Sequence, residues 1–224
     1  GEQPNSVFNV GGLGIDNINK LKLLSKVGFE DAINFKLGDK NILVTFHPVT
    51  LEKSTSESQF QELLMSITNL KNTKIIFTKA NSDTDGRIIN SMIDDYVAKN
   101  DNTIAFKSMG QLNYLSALQF MDVVIGNSSS GLIEAPSFKI GTIDIGDRQK
   151  GRVKAKSVLS CLPRKESIDS ALIELYSKKF QDNVNNVINP YGLGGASKKI
   201  IKIIKDTSLD NIVKKSFFNL KNEF

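Results

Sequence analysis

The chain has 224 residues, of which 40% are hydrophobic and 24% charged, and 29 lysines and arginines against 24 acidic residues leave a net charge of +5. Such a composition describes one large or two small globular domains and excludes collagen-like, low-complexity and disordered classes. The single cysteine, Cys161, excludes an internal disulfide framework and a multi-cysteine metal site. The longest apolar runs are strand-sized, far short of the ~18 residues of a spanning helix, and the N-terminus shows no secretory pattern. A cytoplasmic protein without membrane association is therefore expected. The basic residues are scattered except between Lys198 and Lys221, and there is no tryptophan. Nucleic acid is not expected as a partner, whereas a mildly basic surface suits a phosphorylated small molecule.

Residues 4–16 are rich in Gly, Pro and Asn and read as a connector rather than a first strand. Residues 41–47, NILVTFH, form a continuous apolar run, as in a strand buried on both faces. Residues 54–70 place Phe60, Leu63, Leu64 and Ile67 on one helix face, with Ser54 or Thr55 as N-cap. Strands follow at 73–78 and 103–106, with a helix at 87–98 between them. A short helix is expected at 111–119, a strand at 122–127, a helix at 132–138, and strands at 141–146 and 157–161. Residues 168–180 and 197–205 read as helices, and 207–224 resume a weak helical period. This alternation predicts an α/β fold, a Rossmann-like parallel sheet with helices on both faces.

Ligands of such sheets gather beyond the carboxyl ends of the strands. After the strand at 122–127 comes Gly126-Asn127-Ser128-Ser129-Ser130-Gly131, then Glu134. Small residues there let an anion approach the backbone, and Glu134 lies where a ribose diol would reach it; the alternative is a serine cap with an acidic first turn. His47, the only histidine, ends the strand at 41–47 and either faces a ligand or is structurally hydrogen-bonded. The loop 81–87, NSDTDGR, offers polar ligand contacts or a simple Asx-turn. It has only half the pattern of a calcium loop and lacks the last acidic ligand, so no metal is expected. The loop 146–152 carries Arg148, Lys150 and Arg152, either to neutralise a diphosphate or as a solvated loop.

FHPVT (46–50), NSDTDGR (81–87), GNSSSGLIEA (126–135), IGDRQKGR (145–152) and NPYGLGGAS (189–197) occur in one order. Together they resemble the C-terminal half of UDP-N-acetylglucosamine 2-epimerases. VGGLGIDNI at 10–18 matches that family's segment between its two domains. Pro48-Val49-Thr50, where the non-hydrolysing branch usually has basic residues, favours the hydrolysing branch. The resemblance implies a two-domain glycosyltransferase-B-like architecture whose N-terminal domain is absent from this chain. Residues 1–39 would be the interdomain connector, 40–206 the UDP-binding domain and 207–224 a C-terminal helical tail. It implies that Ser128, Ser129 and Gly131 hold the diphosphate with Arg148, and that Glu134 holds the ribose. His47 would act on the sugar, with Asn81 and Asp83 lining the cleft. Ser108, Met109 and Gly110 would face the uracil, on the ground that they follow a strand taken to lie beside the serine loop. The implied partners are UDP and UDP-N-acetylglucosamine or a related nucleotide sugar. No cofactor is implied, and a homo-oligomer is expected of the full-length protein, with its proton-removing base in the absent half. The alternatives are the non-hydrolysing epimerase, a related glycosyltransferase and a stand-alone nucleotide-binding module.

Overall fold

The computed structural model describes residues 1–49, 55–81, 85–210 and 212–219. Six parallel strands form one sheet: β1 (Lys40–Thr45), β2 (Thr73–Thr78), β3 (Thr103–Phe106), β4 (Val123–Gly126), β5 (Gly141–Ile145) and β6 (Val158–Cys161). Their spatial order is β3-β2-β1-β4-β5-β6, so the chain reverses its winding direction between β1 and β4. The crossovers are α3 (Ser56–Thr68), α4 (Gly86–Val97), α5 (Gly110–Leu118) and the short α6 (Ser130–Ile133). The chain continues after β6 with α7 (Lys165–Leu175), α8 (Lys178–Asn185) and α9 (Ala196–Asp206).

Alternation along the strands divides the interior in two. Ile42, Val44, Ile75, Phe77, Val123, Ile125, Ile143 and Ile145 face α3, α4, α7 and α8, where Phe46 packs on Phe60 with ring centroids 5.6 Å apart. Leu43, Ile76 and Val124 face the other way, toward α5 and an N-terminal helix. β-branched residues dominate because a strand covered on both faces has no polar side to display.

The N-terminal stretch, expected as a connector, is not irregular. It holds two helices, α1 (Leu13–Lys20) and α2 (Lys26–Ile33), and α2 sends Phe29 and Ile33 into the second core. The local cause is visible in hindsight. Ser25 accepts from the Gly28 N–H at 3.2 Å as N-cap, and Asn34 closes the helix in the left-handed conformation. The single helix expected at 168–180 is two, because Ser177 ends one turn and caps the next by accepting from the Phe180 N–H. The helix expected at 132–138 starts earlier, at Ser130, and continues past Glu134 as a 3-10 turn, Ala135–Phe138, with Pro136 inside it. The tail departs too. Among the described residues beyond Asp206 there is turn and extended backbone but no helix, and Ile212, Val213 and Phe217 are exposed. Their helical spacing has no apolar surface to bury against, and spacing alone does not hold a short helix in water.

The start of the chain is tied to its end by Asp16. This buried carboxylate on α1 accepts from the backbone N–H groups of Gly195, Ala196 and Ser197 and from the Ser197 hydroxyl, capping α9 from outside its own sequence. The Ser197 bonds lead in holding the Asp16 carboxyl down from 3.8 to about 2. A folded-state pKa below the unfolded one means stability fully present above about pH 4 and lost as pH falls toward 2. Asp16→Asn should therefore melt at a lower temperature at neutral pH. Its melting temperature should also vary less between pH 4 and 2 than that of the unaltered chain. Parallel melting curves across that interval would refute this assignment.

Candidate functional site

The site is organised where β1 and β4 end side by side. Gly126 closes β4 with φ +139°, and a Cβ there would lie 1.9 Å from the Thr45 carbonyl oxygen, so no other residue fits the approach. The next residue, Asn127, was not singled out from the sequence. Its backbone N–H donates to the Thr45 carbonyl at 3.1 Å. Its side chain pairs with both backbone groups of His47: Oδ1 accepts from the His47 N–H at 2.7 Å, and Nδ2 donates to the His47 carbonyl at 2.8 Å. The amide of one strand end thus takes the place of the missing ladder partner for the other.

His47 is half-buried, and its Nδ1 accepts from the Asn81 N–H at 3.2 Å. A neutral ring in this setting carries its proton on Nε2. Asn81 and His47, both expected in the cleft, are therefore in contact. Asp83 lies outside the described residues.

The β5 loop closes on the same point. Arg148 Nη1 and Gln149 Nε2 both donate to the Asn127 carbonyl, at 3.1 and 2.8 Å. Arg148 is thus beside the serine loop, and Gln149, buried and overlooked in a string read for its cations, holds it there. Among the described residues the backbone N–H groups of Ser128 and Ser129 have no hydrogen-bond acceptor, whereas those of Gly131 and Leu132 are taken by the Ser128 and Ser129 carbonyls. Gly131 lies against β5: a Cβ there would meet Thr142 Cγ2 at 2.6 Å, and the Thr142 hydroxyl donates to its carbonyl at 2.8 Å.

Glu134 lines a cleft of about 200 Å³ with Gly14, Gln111, Tyr114, Leu115, Ser129 and Ser130. Burial pushes its carboxyl up, and a hydrogen bond from Ser130 opposes that shift. The N-terminus of α1 forms the far rim, where a Cβ on Gly14 would come within 3.0 Å of Glu134 Oε1.

The Ser108–Gly110 segment does not follow a strand beside the serine loop, contrary to expectation. The strand before it, β3, is the sheet edge, separated from β4 by β2 and β1. Met109 is buried in the second core, while Ser108 and Gly110 are exposed. What brings the segment to the cleft is α5, which carries Gln111 and Tyr114 to its wall.

Two further groups, buried Asp144 and half-buried Cys161, lie on β5 and β6. Asp144 on β5 pairs with Lys154 Nζ at 2.7 Å, and burial still pushes its carboxyl up. Burial first, and the charge of Asp144 second, push the Cys161 thiol up to about 12, so it is no thiolate nucleophile at neutral pH. Among the described residues no three histidine, cysteine or acidic side chains cluster as metal ligands, and no helix is long and apolar enough to cross a membrane.

A parallel sheet of order 3-2-1-4-5-6 with polar groups converging at its reversal point defines a Rossmann-like α/β domain. The fold recurs in the Neisseria meningitidis UDP-GlcNAc 2-epimerase solved with UDP-GlcNAc, with a TM-score of 0.76 at 20% identity over 91% of this chain and 56% of that one. The Methanocaldococcus jannaschii UDP-GlcNAc 2-epimerase in complex with UDP-GlcNAc and UDP gives 0.68 at 18% identity, over 91% and 56%. The family model for UDP-N-acetylglucosamine 2-epimerase matches residues 1–205, and the chain belongs to that family. It is 39% identical over 222 residues to the GDP/UDP-N,N'-diacetylbacillosamine 2-epimerase (hydrolyzing) of Campylobacter jejuni, covering 98% of this chain and 57% of that protein. It is also 39% identical over 210 residues to the polysialic acid biosynthesis protein P7 of Escherichia coli, covering 92% and 52%. The chain thus spans just over half the length of these curated relatives.

The Asn127 pairing makes a measurable claim. Asn127→Ala removes both partners of a partly buried backbone unit and should destabilise the chain by roughly 2–4 kcal/mol in urea unfolding. A loss below about 0.5 kcal/mol would show that water replaces the amide and that the clamp is dispensable.

Proposed function

We propose that this chain is the UDP-binding half of a hydrolysing UDP-N-acetylglucosamine 2-epimerase, converting UDP-N-acetylglucosamine and water to N-acetylmannosamine and UDP. The observation that carries this is the convergence at the β1–β4 reversal. The backbone amides of Ser128 and Ser129, without an acceptor among the described residues, and the guanidinium of Arg148 meet there, with Glu134 one turn beyond. That set suits a nucleoside diphosphate: donors for the two phosphates, then a carboxylate for the ribose diol. Ser108 and Gly110 lie toward the base. Family membership and two relatives named as hydrolyzing 2-epimerases support the same branch.

In this reading the C2 proton is removed and the C1–O bond breaks, its electrons leaving with UDP, to give a glycal-type intermediate. Water then adds, hydroxyl to C1 and proton to the opposite face of C2. Negative charge grows on the departing diphosphate. Donors already fixed at Ser128, Ser129 and Arg148 need no rearrangement to stabilise it. His47, whose Nδ1 accepts from the Asn81 N–H, would act on the sugar. The base that takes the C2 proton would come from the part of the relatives that this chain does not match, and Asp83 would line the same cleft.

One observation favours a second substrate. The relatives from Campylobacter jejuni and Legionella pneumophila, 39% and 32% identical, are named for N,N'-diacetylbacillosamine, a diacetamido sugar. Both sugars place the same UDP in the same site.

Product analysis of the enzyme that carries this chain decides the matter. With either UDP sugar in deuterated water, free UDP and the inverted free sugar should appear in equal amounts, with one deuterium at C2 and no acceptor needed. Release of a UDP-linked epimer would replace this reading with the non-hydrolysing one, and dependence on an acceptor would replace it with a glycosyltransferase.

A further inference from the structure

Behind Glu134 runs a line of hydroxyl groups that the site as described does not use. Tyr114, on α5, donates its phenolic O–H to Ser130 Oγ at 2.6 Å. Ser130 lies one helical turn before Glu134, whose backbone N–H donates to the Ser130 carbonyl at 2.9 Å, and the Ser130 hydroxyl opposes the upward shift of the Glu134 carboxyl. All three side chains line the same cleft of about 200 Å³. The Tyr114 hydroxyl donates into Ser130, on the side of the cleft that Glu134 lines, and hydroxyl groups in series polarise one another. We propose that Tyr114 is a positioning residue for nucleotide recognition: through Ser130 it holds the Glu134 carboxylate in the orientation that reads the ribose hydroxyls.

Three observations support this. Glu134 sits at the C-terminal end of the four-residue α6, where the backbone turns into a 3-10 segment and gives its side chain little help. A flexible glutamate there needs a fixed donor to choose a rotamer. Ser130 alone is a poor anchor, since its hydroxyl rotates freely. The incoming Tyr114 bond occupies one lone pair of Ser130 Oγ and leaves its proton to point at Glu134. Lastly, desolvation holds the Tyr114 phenol up at about 12, so it is a donor across the whole physiological range. The rim opposite is Gly14, whose lack of a Cβ leaves Glu134 Oε1 open on the side away from Ser130.

The inference rests on the ribose reading of Glu134 given above, and the test separates the two. UDP, 2′-deoxy-UDP and pyrophosphate are titrated calorimetrically into the chain and into Glu134→Gln, Tyr114→Phe and Ser130→Ala. The unaltered chain should prefer UDP to 2′-deoxy-UDP by about tenfold or more, and Glu134→Gln should erase that preference. Tyr114→Phe keeps the ring and its packing. It should reduce the preference by roughly 3–10-fold and leave pyrophosphate binding within about twofold, and Ser130→Ala should do the same by breaking the line at its middle. No preference in the unaltered chain overturns the ribose reading and this inference with it. A preference that Glu134→Gln erases but Tyr114→Phe and Ser130→Ala both keep overturns the inference alone. Equal weakening of all three ligands by Tyr114→Phe assigns the tyrosine a structural role and also overturns it.

Discussion

Two parallel strands that feed helices on opposite faces of a sheet leave a gap between their carboxyl ends, and the backbone groups bordering that gap have no ladder to join. In this chain the gap lies between β1 and β4, and Asn127 spans it. The Asn127 carboxamide, two bonds from its backbone, satisfies the N–H and the carbonyl of His47, while the Asn127 backbone carbonyl gathers Arg148 and Gln149 from the β5 loop. Three loops are thereby fixed to a single residue. The functional groups they carry are set in place before any ligand arrives, which is the condition for electrostatic stabilisation without rearrangement. The same device recurs elsewhere. Asn90 pairs with both backbone groups of Ala80 where β2 ends, and Asn41 with both of Gly38 where β1 begins. Asparagine suits the task because it carries one donor and one acceptor at a fixed angle.

Charge is distributed around this frame in a way that serves an anion. Donors face the opening at Ser128, Ser129 and Arg148, while the carboxylates are set back or neutralised. Asp144 is answered by Lys154 at 2.7 Å, and Asp16 is consumed by four donors at the start of α9. Among the described residues that line the cleft, Glu134 supplies the carboxylate, with Ser130 and Tyr114 beside it. An acidic group so placed is poorly suited to a phosphate and well suited to a diol, and in the proposed reading this orders a nucleotide along the loop with its diphosphate toward Arg148.

The strands and the turn at 126–131 were legible in the sequence because both are local signals. Continuous β-branched runs marked β1, β2, β4 and β5 to within a residue or two, and glycines and serines after an apolar run marked the turn that follows β4. What was not legible depends on partners far along the chain. Asn127 looked like any residue of a polar loop, and its importance lies in His47, 80 positions away. Asp16 reads as an ordinary helix residue until α9 docks on it. The helix α2 was overlooked because its eight residues carry little amphipathic signal, although Ser25 and Asn34 mark its ends. The strand order, which no local pattern encodes, is what undid the argument placing Ser108 and Gly110 beside the serine loop. The tail after Asp206 erred in the other direction: a helical spacing was present without a surface to pack on.

The central claim is that a nucleoside diphosphate lies across the β1–β4 reversal, phosphates on the Ser128–Ser129 loop and ribose at Glu134. Backbone amide chemical shifts of the isotopically labelled chain, followed through a titration with UDP, test it most directly. The account requires the largest shifts at Ser128, Ser129, Ser130 and Gly131. Smaller ones should appear at Glu134 and Arg148, and little change at the opposite end of the sheet around Gly38, Thr73 and Asn102. Shifts concentrated at that opposite end, or no saturable shifts in the serine loop at millimolar UDP, would contradict it.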